Sequence, residues 1–424
     1  MSLKFYLPNF EDLVDPEYDF INDRPSPKRG DRYAHDRYAH EFFGDESIFD
    51  GVLMSKTVVT PSIEKRIRKE GGVHAFMRLD RKYPVMGDCG AFTYREQAEP
   101  PYATDEILDY YQSLGFDYGV SIDHLIFSGF PLEEQERRWQ LTLRNAEDFL
   151  RRHGEKGCSF VPVGIAQGPT PERYAAAIRR LVELGYSHLA LGGLARSYDK
   201  DIRQVLEAVS PELPTGTELH LFGVARLSLI PDFLRYGVTS ADSASPIRRA
   251  FMGDGGDNYW TADDERYAAI RVAEATSQRK KRGVDSPTDI VNGSQPVDSI
   301  EALVELEQAA LWNLRAFDRC ESSLEKTLDA VLGYDRLFGE DRNHERLYRR
   351  VLEDRPWQKC DCPICKEVGV EVIIFRSNNR NRRRGFHNAR VFYQQFRTKV
   401  SEIQLGQLIA NDPPPRQLAL ALQE

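Results

Sequence analysis

At 424 residues the chain exceeds one ordinary small domain and suits one large barrel with appendages, or two domains. Hydrophobic residues make up 41% and charged residues 29%, enough apolar surface to order a core, which excludes a wholly disordered chain. Lys plus Arg number 57 against 66 Asp plus Glu, a formal net charge of −9, which excludes a globally basic nucleic-acid coat and leaves only a local basic patch to be sought. No run of 18 apolar residues occurs, and Met1 to Phe10 has no basic stretch followed by an apolar one, so a soluble, cytoplasmic chain with no membrane partner is expected.

In chain order, residues 1–69 read as an N-terminal extension, rich in Asp, Tyr, Pro and His and broken by Pro25 and Pro27. It holds a tandem duplication, Asp31-Arg-Tyr-Ala-His35 followed by Asp36-Arg-Tyr-Ala-His40, which reads as a duplicated solvated turn or as a segment contacting phosphate or covering a site. From about residue 70 a short apolar run ending in Gly or Asp alternates with a longer amphipathic stretch. The runs end at Asp88, Asp123, Gln167, Gly193, Gly223 and Asp242, with helical spacing over segments such as Thr104 to Leu114 and Pro171 to Leu184. Strand-helix alternation of this kind predicts an α/β fold, a (β/α)8 TIM-like barrel, with its core over 70–261. An open dinucleotide-binding sheet is disfavoured, because no Gly-x-Gly-x-x-Gly turn follows the first strand. Residues 262–350 read as a helical insertion containing Lys280-Lys-Arg282 and a Gly/Ser/Pro-rich loop. Residues 351–424 read as a zinc-binding subdomain with a closing C-terminal helix.

Barrel strands aim the polar residues at their C-terminal ends into one mouth, so Asp88, Asp123, Gln167, Gly192, Gly193 and Asp242 are the candidate site. Any single Asp there could be a helix N-cap. Three beside a Gln point to glycosyl-transfer chemistry, in which one carboxylate attacks a sugar carbon and another moves a proton. The second signal is Cys360-x-Cys362-x2-Cys365 with His387 beyond it: three thiolates and an imidazole complete the closed tetrahedral shell of a structural zinc site.

These residues resemble the tRNA-guanine transglycosylases. Asp88-Cys-Gly-Ala-Phe92 is similar to the family's Asp-Ser-Gly-Gly/Ala-Phe, Gly164-Ile-Ala-Gln167-Gly to its Gly-Ile-x-Gln-Gly, and Leu191-Gly-Gly-Leu194-Ala to its Gly-Gly-Leu-Ala. Phe222-Gly-Val-Ala resembles its Met-Gly-Val-Gly, Ser240-Ala-Asp242-Ser the stretch carrying the nucleophile, and the cysteines with His387-Asn388 its zinc signature. The resemblance spans about 80–250 and 356–400. It implies a zinc-bearing barrel that swaps guanine in a polynucleotide for a 7-deazaguanine base, a pentosyltransferase reaction. Asp242 would be the nucleophile at C1′ and Asp88 the general acid and base. Asp123 and Gln167 would read one edge of the base and the backbone at Gly192, Gly193 and Leu194 the other, with Phe92 and Phe222 sandwiching it.

Departures refine the substrate. Tyr198 stands where the bacterial tRNA enzymes carry a Glu that meets an aminomethyl group, which favours the neutral base 7-cyano-7-deazaguanine. No RNA-binding PUA-like domain follows the zinc signature. The resemblance therefore leans to the DNA-guanine transglycosylases of 7-deazaguanine DNA-modification systems, with helper proteins that open the duplex as expected partners. A tRNA substrate, or a catalytically silent nucleic-acid-binding subunit, is the alternative. Arg376, Arg380, Arg382, Arg383, Arg384 and Arg390, interleaved with asparagines around the zinc signature, are expected to neutralise phosphates. A paired guanine cannot reach Asp242, so it must be flipped out or presented single-stranded.

Overall fold

A computed structural model describes residues 3–9, 12–252, 256–275, 300–338 and 344–411. These form two compact units. One comprises 3–9, 49–243 and 393–411, and the other 12–48 with the described parts of 244–392.

The first unit is a closed barrel of eight parallel strands in sequence order: β1 (Lys4–Pro8), β2 (Gly51–Ser55), β3 (Val85–Asp88), β4 (Tyr118–Val120), β5 (Val161–Ala166), β6 (His188–Leu191), β7 (Glu218–Leu221) and β8 (Ser240–Asp242). Closure is made by β1 against β8, with Tyr6 in register with Asp242. Side chains including Tyr6, Leu53, Met86, Val120, Val163 and Ile165 fill the interior as a packed core. Helices follow the strands because the sequence starts and stops them. Thr170 accepts from Arg173 N–H and Pro171 opens the Pro171–Leu184 helix, which ends at Gly185 with φ 105°, a left-handed conformation that costs glycine little. Close packing also fixes Gly87 on β3, where an added Cβ would lie 2.3 Å from the Tyr111 ring.

The (β/α)8 expectation holds, with a shifted start. β1 and β2 lie inside 1–69, the stretch read as an extension, so the barrel begins at Lys4 and ends at Asp242 instead of covering 70–261. Both strands escaped the pattern because neither run ends in Gly or Asp, and residues 12–48 of the other unit intervene between them.

The second unit contains a hairpin, Tyr259–Trp260 with Arg266–Tyr267, and a parallel pair, Ile270–Arg271 with Ile374–Phe375. Helices Ile300–Asp318, Leu324–Arg336 and Glu345–Asp354 accompany them, together with the start of Asn378–Asn411. Lys280-Lys-Arg282 and the loop after it lie outside the described residues. The tandem repeat is not a duplicated solvated turn. In its first copy Asp31 caps a short helix and His35 Nε2 lies 3.0 Å from Asp15; in its second, Asp36 is buried and takes both Nε and Nη2 of Arg29, at 2.7 and 2.5 Å. No described helix is long and apolar enough to cross a membrane.

Candidate active site and metal centre

Because all eight strands are parallel, their C-terminal ends share one mouth, and the predicted carboxylates gather there. Asp88 ends β3, in register with Ser55 at the end of β2. Its Oδ1 accepts from Ser55 Oγ at 2.7 Å and from Gly90 N–H at 2.5 Å. Desolvation in the mouth pushes the Asp88 carboxyl up to about 6, the two hydrogen bonds oppose this, and the charge of Asp242 adds to it. Asp242 is 4% exposed at the end of β8, and its Oδ1 accepts from Gly223 N–H at 2.8 Å and faces His220 Nε2 at 3.2 Å. Among the described residues its Oδ2 has no hydrogen-bond partner, so one oxygen is anchored and the other is open to the mouth.

Asp123, 6% exposed, accepts from Gln167 Nε2. Burial pushes its carboxyl up to about 7, opposed by the Gln167 bond and reinforced by Asp88. Gln167 Oε1 in turn accepts from Ile126 N–H at 3.2 Å. Its amide lies against the glycine backbone: a Cβ on Gly192 would come 3.1 Å from Gln167 Nε2, and one on Gly193 3.2 Å from Oε1. Tyr174 OH donates to Gly192 O at 2.7 Å, while Leu194 is buried beneath the same loop. Phe222 packs on the barrel core, with its ring 4.6 Å from His220. Phe92 is 42% exposed, and no ring contact joins it to Phe222 among the described residues.

Three features escaped the sequence. Ser55 holds Asp88, His220 meets Asp242, and Arg138 braces the loops after β3 and β4. Arg138, on the Leu132–Lys156 helix, donates to Arg95 O at 2.7 Å, Leu125 O at 3.0 Å and His124 Nδ1 at 2.6 Å, and pairs with Glu134 at 2.5 Å. Since Nδ1 accepts, His124 Nε2–H donates to Gln97 O at 2.9 Å, and Tyr94 OH adds a 3.0 Å bond to Asp123 O. His220 had a legible signal: it stands two residues before Phe222, and alternate residues of a strand face the same way.

The arginine segment is corrected. Most of it starts the Asn378–Asn411 helix, and Arg380, Arg383 and Arg384, expected at phosphates, are fully buried. Arg376 pairs with Asp23 and, at 2.8 Å, with Glu307; Arg380 pairs with Asp23 and, at 2.6 Å, with Glu371. Arg383 reaches Glu367 at 2.9 Å, and Arg390 reaches Glu46 and Asp361, each at 2.9 Å. Arg384 donates to the carbonyls of Ala250 and Val372. Arg382, the least buried of the six, meets Asp12 at 3.3 Å and Leu13 O at 2.9 Å. With their donors committed inside the second unit, these side chains do not present a phosphate surface.

The cysteine cluster assembles as expected. One ligand atom each from Cys360, Cys362, Cys365 and His387 lie within 4.8 Å of one another. His387 Nδ1 stands 3.7, 3.4 and 3.5 Å from the three Sγ atoms, in turn. Those lengths match the edge of about 3.5 Å expected for a tetrahedron with metal–sulfur and metal–nitrogen bonds of about 2.3 and 2.0 Å. His387 Nε2–H donates to Trp260 O at 2.8 Å, which leaves Nδ1 as the ligand atom, and the Tyr259 ring stacks on the imidazole at 4.2 Å. The four residues therefore fit a metal ion.

A family model described as queuine tRNA-ribosyltransferase matches residues 51–255, the span from β2 past β8. A DNA-guanine transglycosylase of Salmonella montevideo is 37% identical over 94% of this chain and 98% of its own length. A queuine tRNA-ribosyltransferase of Shewanella loihica is 28% identical over 45% of this chain and 56% of its own. A tRNA-guanine(15) transglycosylase of Methanococcus aeolicus is 24% identical over 47% and 31%. Near-complete overlap with the first of these, joined to a carboxylate-lined barrel mouth, places the chain in the guanine transglycosylase family, whose members are base-exchanging pentosyltransferases.

Proposed function

We propose that the chain exchanges guanine in DNA for 7-cyano-7-deazaguanine through a covalent Asp242–nucleotide intermediate. The observation that carries this reading is the unlike setting of two carboxylates in one mouth: Asp242 with one oxygen anchored and one open, and Asp88 with its carboxyl raised to about 6. Asp242 Oδ2 attacks C1′ as the N9–C1′ bond breaks, and protonated Asp88 gives its proton to the leaving guanine. The incoming base then passes its N9 proton to the Asp88 carboxylate, and its N9 displaces Asp242 from C1′. Asp123 and Gln167 meet the base's hydrogen-bonding edge, the loop at Gly192, Gly193 and Leu194 its other edge, and Phe92 and Phe222 its faces.

DNA is favoured by the length of the match to the Salmonella enzyme, and the cyano base by Tyr198, 75% exposed where a carboxylate would be needed for a cationic substituent. Zinc is the metal that suits three thiolates and an imidazole; bound there, it would hold the second unit's loops together as a structural ion. Incubation of the chain with duplex DNA, single-stranded DNA or tRNA and the cyano base, followed by nucleoside analysis, tests the reading. Modified base in DNA supports it. Modified base in tRNA alone moves the chain to the tRNA substrate, and none in any nucleic acid, with helper proteins supplied, overturns exchange.

A further inference from the structure

A polynucleotide brings phosphates to a mouth that already holds Asp88, Asp123 and Asp242, on a chain of net charge −9, so its approach needs cations at the rim. The arginines of 376–390 do not supply them, being committed within the second unit. Elsewhere in the barrel unit Arg137, Arg173, Arg203 and Arg226 each have a carboxylate within 3 Å.

Arg196 differs from all of these. It is exposed on the loop after β6, and among the described residues it forms no ion pair and no hydrogen bond through its side chain. Its guanidinium carbon lies 5.0 Å from the centroid of Phe92, the exposed ring four residues beyond Asp88. Arg95, on the loop after β3, brings a second guanidinium to the same ring, also at 5.0 Å. Its Nη1 donates to Phe92 O at 3.1 Å, which holds it over the ring, and its ion pair with an exposed sequence neighbour, Glu96, at 3.2 Å is too weak to withhold Nη2 from a phosphate. The loop carrying Arg196 is itself braced: Arg226 donates to Ala195 O at 3.2 Å and to Asp199 at 2.6 Å, and Ser197 N–H to Leu194 O at 3.0 Å. An uncommitted guanidinium thus projects from a held loop, over an aromatic ring, at the end of the barrel where the reaction takes place.

We propose that Arg196, assisted by Arg95, grips the phosphodiester beside the guanine delivered to Asp242. The proposal rests on the reading that a polynucleotide is the substrate. Phosphate chemistry is common to DNA and RNA, so the arms of the test use both.

Binding of the full chain to labelled single-stranded DNA and to tRNA is followed by fluorescence anisotropy across a salt series. Replacing Arg196 by Ala is expected to weaken binding about fivefold at low salt, and to flatten the slope of log affinity against log salt by about 0.7 for a single strand, one phosphate contact. The loss should be equal across sequences, and Arg196→Lys should restore most of the slope. In turnover the KM for the polynucleotide should rise while that for the free base stays. An unchanged slope and affinity in Arg196→Ala overturns the proposal, as does a raised KM for the base with polynucleotide affinity intact, which would put Arg196 on the base. Failure of base exchange by the wild type in both nucleic acids is a separate result that counts against the function, since the phosphate contact is read from binding.

Discussion

In the barrel unit Asp88, Asp123 and Asp242 meet a hydroxyl, an amide, an imidazole and backbone N–H groups, whereas in the second unit the buried guanidiniums of Arg376, Arg380 and Arg383 meet Asp23, Glu307, Glu371 and Glu367. Hydroxyl, amide and backbone N–H donors orient a carboxylate without cancelling its charge. It keeps its capacity to attack or to take a proton, at the cost of desolvation. A guanidinium matched to carboxylates is spent on structure, and removing one partner leaves the other buried and unpaired. Buried charge thus marks function in the barrel unit and cohesion in the second. On the proposed phosphate contact, the cationic contribution to substrate binding would come from Arg196 and Arg95 on barrel loops and not from the six clustered arginines.

The sharpest break of this comparison is Asp242→Asn. The amide keeps an oxygen for Gly223 N–H but lacks the charge that attacks C1′. Exchange should fall on the order of 10^4-fold, and the denaturant-resistant polynucleotide complex should vanish, with melting little altered. A complex surviving on a denaturing gel would remove Asp242 from the nucleophile's role. In the second unit the corresponding anions would be the thiolates of Cys360, Cys362 and Cys365, with a bound metal ion as their balancing cation. Chelation or Cys362→Ser should therefore melt this unit at lower temperature, because the free energy of metal binding is free energy of folding. Metal analysis giving less than one zinc per chain, with melting indifferent to chelator, would contradict the assignment.

Arg380→Met is the next test. It strips Asp23 and Glu371 of a buried partner and should destabilise the chain by about 3–5 kcal/mol, read as a fall in denaturation midpoint. Were these arginines phosphate contacts, the variant would instead keep its midpoint and lose polynucleotide affinity.

Sequence carried the barrel mouth further than it carried the second unit, for a reason of range. β3 to β8 announce themselves by a local rule, an apolar run closing on Gly, Asp or Gln, and Asp88, Asp123, Gln167 and Asp242 are read as residues at or just beyond strand ends. Cys360, Cys362 and Cys365 are likewise local, with His387 one helix away. The setting of the arginines is not legible locally because what neutralises them is remote: Arg376 and Arg380 meet Asp23, 353 and 357 positions earlier. His220 and Ser55 went unassigned because their role depends on strand register, β7 beside β8 and β2 beside β3, which no single segment contains.

The smallest expected effect lies in the titration of Asp88 and separates its two roles. In the unfolded chain an Asp titrates near 4, whereas in the mouth this carboxyl is raised to about 6. A carboxyl raised on folding adds stability that is fully present below the unfolded value and is lost as pH climbs through the folded one. The wild type should therefore lose roughly 2 kcal/mol between pH 4 and 7 from this group, less whatever water reaching the mouth screens. Asp88→Asn does not titrate, so it should melt progressively higher than the wild type across that window while losing exchange. The chemistry should follow the same proton in opposite directions. Formation of the Asp242 adduct needs the acid form to protonate departing guanine and should slow as pH rises through about 6, whereas resolution by the incoming base needs the carboxylate and should quicken. Single-turnover trapping and chase across pH 5 to 8 measure the two limbs separately; parallel limbs, or a melting difference that does not grow with pH, would show that Asp88 is not the group that carries the proton.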